Sequence, residues 1–81
     1  MSAPTVGLAE IDEHLAAVVD RLGAAPADRD PLLWAAHEAA LCARALLALR
    51  GAEHGADWAS VLASARASMA AVSYARREAS A

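Results

Sequence analysis

Apolar residues recur along this chain with a helical period. At about 100° per residue, Leu8, Ile11, Leu15, Val18, Val19 and Leu22 fall on one stripe, opposite Glu10, Glu13, Asp20 and Arg21. That pattern predicts an amphipathic helix over about residues 6–22. A second helix is expected over 31–50 and a third over 58–76. No segment alternates apolar and polar residues with the period of two that a half-buried strand needs. The expected fold is therefore all-α: a three-helix bundle chain forming a single small helical domain over 1–81.

Helix punctuation supports this division. Thr5, after Pro4, is placed to cap the first helix, and Gly23 to end it. Asp30 followed by Pro31 is the strongest start signal, because aspartate accepts from free amides at an N-cap and the fixed φ of proline suits the first helical position. Gly51 marks the end of the second helix, and Asp57 is placed to cap the third.

The three helices differ in what they offer to a neighbour. The second is apolar nearly all round, with a narrow polar strip of Asp30, His37 and Arg44, which makes it the expected central element. In the third, Trp58, Val61, Leu62, Ala65, Met69 and Val72 form the expected inward stripe. Its other side, with Ala59, Ser60, Ala63, Ser64, Ala67, Ala70 and Ala71, carries almost no charge and would let another helix approach closely.

Composition makes that second face matter. The chain is 58% hydrophobic but only 4% aromatic, lacks Phe and has only 81 residues. Alanine favours helix yet buries little area, and a core of this size contributes roughly 3–5 kcal/mol. Packing as a homo-oligomer, a dimeric helical bundle joined through the second helix and the small-residue face of the third, is the expected remedy.

Charge narrows the partners. The net charge of −3 opposes nucleic-acid binding, which needs a concentrated basic face. Residues 1–30 hold six acids and two arginines, whereas residues 57–81 hold two acids and three arginines, so the two ends can attract. A lone cysteine makes no internal disulfide and suits a reducing cytoplasm. The N-terminus has no basic region of the kind that opens a signal peptide. Residues 58–75 come nearest to a membrane span but include Arg66, so no membrane is expected.

Candidate chemistry concentrates in LLWAAHEAALCARALLALR, residues 32–50. Trp34, Glu38 and Cys42 share the apolar side of that helix, while His37 points about 100° away from Glu38. A buried carboxylate on an apolar face must find a cation or hold a proton, and Glu38 can reach Arg44, Arg66 or solvent at the rim. A pocket between helices lined by Trp34, Glu38, Cys42 and Trp58 would suit a small ligand or a minimal enzyme. His37, on the polar strip, is the candidate phosphoacceptor. Only Glu10 and His14 have the spacing of helical metal ligands, and they face outward, so neither a metal nor another cofactor is expected. No nucleophile elbow or phosphate loop is present, so no catalytic residue is named. The leading expectation is a cytoplasmic interaction, adaptor or regulatory protein, acting through homo-oligomerisation and a surface for a protein partner. A ligand-binding protein and a DNA-binding regulator are the alternatives.

Overall fold

The computed structural model describes residues 7–24, 29–51, 55 and 57–80. They form three helices and no strand: α1 (Leu8–Gly23), α2 (Pro31–Arg50) and α3 (Trp58–Ser80).

Local chemistry explains the ends. Asp30 stands at the α2 N-cap and its carboxylate accepts from the Leu33 amide at 3.2 Å, with Pro31 in the first turn. Asp57 does the same for α3, accepting from the Ser60 amide at 2.7 Å. The Thr5 cap lies outside the described residues. α1 starts at Leu8, the first residue of its apolar stripe and two residues after the expected start at 6, with Gly7 at the N-cap supplying no side-chain bond. α3 runs on to Ser80, past the expected end at 76, because Ala, Arg and Glu are good helix formers and no breaker intervenes. Asp30→Ala is expected to cost about 1 kcal/mol, lowering Tm by roughly 4–8 °C in a calorimetric melt. An unchanged Tm would show that the cap does not limit stability.

α2 is the centre of the layer. α1 and α3 each pack on α2 and make no contact with each other. Asp12 meets Arg44, and Gly23 lies beside the His37 ring, so α1 runs antiparallel to α2. Trp34 meets Tyr74, while Leu46, Leu49 and Arg50 border one groove with Trp58, so α3 is antiparallel to α2 as well. The three helices therefore lie side by side in one layer, with α2 between α1 and α3.

Packing is built from small side chains. Ala35 and Ala40 on α2, and Val61, Ala71 and Ala75 on α3, are the buried hydrophobic residues among those described. Ala71 has no exposed surface at all. Ser64 and Ser68 share this α3 arc and are half-buried. The Trp34 and Tyr74 rings add an edge-on contact, with centroids 5.9 Å apart and planes at 79°.

This arrangement corrects the expected inward stripe of α3. Of its large members only Val61 is buried; Trp58, Leu62, Met69 and Val72 are 66%, 49%, 72% and 55% exposed. The small-residue side is itself divided: Ala71 is buried and Ser64 half-buried, but Ala59, Ala63 and Ala67 are exposed. The physical reason is close approach. Short side chains let two backbones come near enough for many dispersion contacts at once, and α3 has only one neighbour on which to spend a face.

Candidate functional site

The residues singled out from the sequence are only partly brought together. Trp34 sits near the start of α2 against Tyr74, whereas Trp58 lies beside Leu49 and Arg50 at its far end. Fifteen helical residues separate positions 34 and 49, about 22 Å along the axis. Trp34, Glu38, Cys42 and Trp58 therefore do not line one pocket. Glu38 and Cys42 are half-buried on α2, and the Cys42 thiol is free.

His37 is not on an outward strip. It is half-buried, and a Cβ added at Gly23 would lie 3.4 Å from its Nε2, which places the ring against the C-terminal end of α1. The His37 Nδ1 is 3.7 Å from the Glu38 Oε1, closer than a 100° separation round the helix implies but too long for a hydrogen bond. Because α2 is packed on two sides, little of its circumference is left as a polar strip.

The ion pair that organises the α1–α2 contact was missed at the sequence level. The Arg44 guanidinium donates from Nε to Asp12 Oδ1 at 2.9 Å and from Nη2 to Oδ2 at 3.2 Å, a two-pronged bridge across 32 positions of sequence. Its signal is the position of Asp12 on α1, beside Leu15 and Val19 rather than with Glu13 and Asp20. The hydrogen bond from Arg44 holds the Asp12 carboxyl below its usual 3.8, partial desolvation opposes this, and the Arg44 charge lowers it further. The Ser60 backbone amide lowers Asp57 in the same way.

Because the folded pKa of Asp12 lies below the unfolded one, its contribution is present above about pH 3.8 and is lost as pH falls through the lower, folded value. Asp12→Asn is therefore expected to flatten the acid limb of stability in circular-dichroism melts between about pH 5 and pH 2. Asp57 should keep part of the slope. Identical acid slopes in the two proteins would exclude a role for the bridge.

The most extensive feature is a surface rather than a cavity. On α3, Trp58, Leu62, Ala65, Met69 and Val72 fall within about 80° of one another, roughly 100° from the buried arc. On α2, Leu32, Ala36, Ala39, Leu46 and Arg50 form an exposed flank between the arcs that face α1 and α3. Leu32 is 72% exposed. Leu46 and Trp58 border the same groove, so the two flanks lie on one side of the layer. The antiparallel course of α1 turns its exposed Val18 to that side too. The result is a layer one helix thick with one broadly apolar face. Arginines edge it on α3, where Arg76 and Arg77 line a shallow groove with Ser73 and Ser80. Acids edge it on α1, with Glu10 and Glu13 exposed.

Two further properties limit the chemistry. Among the described residues, no three of His, Cys, Asp and Glu gather as metal ligands; His54 and Glu53 lie outside them. By length and composition α2 could cross a membrane, with a mean hydropathy of 1.4. A helix packed against neighbours on two sides needs the same composition. Glu38 and Arg44 near its middle would be costly in hydrocarbon, and Arg44 is engaged by Asp12. Compared with protein-family models, with curated proteins and with solved structures, the chain matches none.

Proposed function

We propose that this is a small interaction protein of the cytoplasm, a helical adaptor or regulatory subunit that works by self-association. Its open apolar face joins copies into a homodimeric helical bundle and leaves the opposite side, near Trp34, Leu41 and Tyr74, for a protein partner. One observation carries this reading. Among the described residues, Trp58, Leu62, Met69 and Val72 on α3, Leu32 and Leu46 on α2 and Val18 on α1 are each between 42% and 72% exposed, all on one side of the layer. Exposed apolar patches of more than a few hundred Å² mark interaction surfaces in soluble proteins.

Two supporting features concern what surrounds that face. The layer is open between α1 and α3, so each helix has a flank that a second layer can cover. A single half-buried thiol is compatible with a reducing compartment. The two tryptophans stand at opposite ends of α2, so the reading rests on a surface and not on a pocket. Sedimentation equilibrium tests it. The expected mass at tens of micromolar is twice the 8.3 kDa of the chain. A monodisperse species of 8.3 kDa under those conditions overturns the reading.

A further inference from the structure

Resting on that reading, we propose a specific partner and geometry for the open face. It is covered by a second copy of this chain, related by a two-fold axis parallel to the helices. α1 of one protomer then lies over α3 of its partner, and α2 lies over α2.

Area supports a second copy as the occupant. A standard interface buries about 800 Å² per partner, and obligate homodimers bury more. Helices of 16, 20 and 23 residues lying side by side present a face of roughly 30 × 27 Å, about 800 Å², which matches that standard size. A C2 interface also needs one self-complementary patch, and a broad face spanning all three helices supplies it.

Charge selects the axis. With Asp12 engaged by Arg44, α1 offers Glu10, Glu13 and Asp20 against Arg21, a net −2; α3 holds Arg66, Arg76 and Arg77 against Glu78, a net +2. Two layers can stack face to face about an axis across the helices or along them. An axis across the helices sets α1 against α1 and α3 against α3, opposing like charges. An axis along them sets the acidic helix over the basic one at both edges. Such complementarity fixes register more than it adds affinity.

The same axis predicts which residues meet. Rotation about a line parallel to the helices preserves height along them. Following the cross-helix pairs Asp12–Arg44 and Trp34–Tyr74 brings Val18 and Met69 to nearly the same level. Both are exposed on the apolar face, 42% and 72% respectively. Within one chain they stand on either side of α2, on helices that do not touch, beyond the roughly 7 Å Cα separation a disulfide tolerates. Between two stacked copies they face each other.

Disulfide trapping tests this in the full chain with Cys42→Ala as background. Val18→Cys and Met69→Cys are introduced singly and together, and the folded proteins are oxidised mildly and run on a non-reducing gel. The double variant should convert mostly to a reducible covalent dimer, while each single variant stays monomeric on the gel. Ile11→Cys with Leu62→Cys, a second pair at matched height, should behave alike if the first pair disturbs folding, which circular dichroism reports. Efficient cross-linking of either single variant places the axis across the helices. It overturns this geometry while leaving self-association standing. A native chain that sediments as a monomer overturns both, and its co-flotation with vesicles containing phosphatidylglycerol would assign the face to an anionic membrane instead.

Discussion

Met69→Glu is expected to abolish the proposed self-association. Met69 is the most exposed large side chain of the α3 stripe, and in the monomer it touches little, so the substitution should leave helix content and monomer folding almost unchanged. In the proposed dimer the same position lies within the apolar interface, where α3 covers the partner's α1. A carboxylate there must be desolvated without a partner or take up a proton, either of which disfavours association. A dissociation constant raised at least about 100-fold, roughly 2.7 kcal/mol, is the expected result in sedimentation equilibrium. Ala59→Glu, on the outer side of the same helix, is the control and should change association little. Retention of the dimer by Met69→Glu would mean that another surface joins the copies.

The second large effect concerns folding of the chain itself. Ala71→Leu is expected to destabilise the protein by about 1–3 kcal/mol, because Ala71 has no exposed surface and the added methylenes would have to push α3 away from α2. Tm should fall by roughly 4–8 °C for each kcal/mol. Ala67→Leu, one turn earlier and exposed, should be close to neutral. The comparison is informative because both changes improve a simple tally of apolar residues. If Ala71→Leu raised Tm, the seam between α2 and α3 would have to be looser than its buried alanines imply.

Much of the fold was legible in residue order. Asp30 and Asp57 are caps by virtue of their own short carboxylates and the amides three residues on, an interaction that needs nothing from the rest of the chain. The central place of α2 followed from its apolar character all round, since only a helix with neighbours on more than one side can use it. The candidate site was less legible. His37 looked outward because a single helical wheel cannot know that α1 ends beside it. The Asp12–Arg44 bridge depends on the register between two helices, which no spacing within either one records. Trp34 and Trp58 seemed able to share a pocket because their distance along α2 appears only once α3 is laid antiparallel beside it.

Three helices and two of their N-caps are thus determined by the sequence alone, because capping and periodic burial act within a few residues. Which side of α3 turns inward was decided by the tertiary structure. Rotation of a helix about its own axis leaves its internal hydrogen bonds unchanged, so the choice falls to the shape of the neighbour. Against the alanines of α2, the small side chains of α3 allow the closer seam, and the Trp34–Tyr74 contact holds that rotation. The large apolar residues are left on the open face of the layer as a consequence.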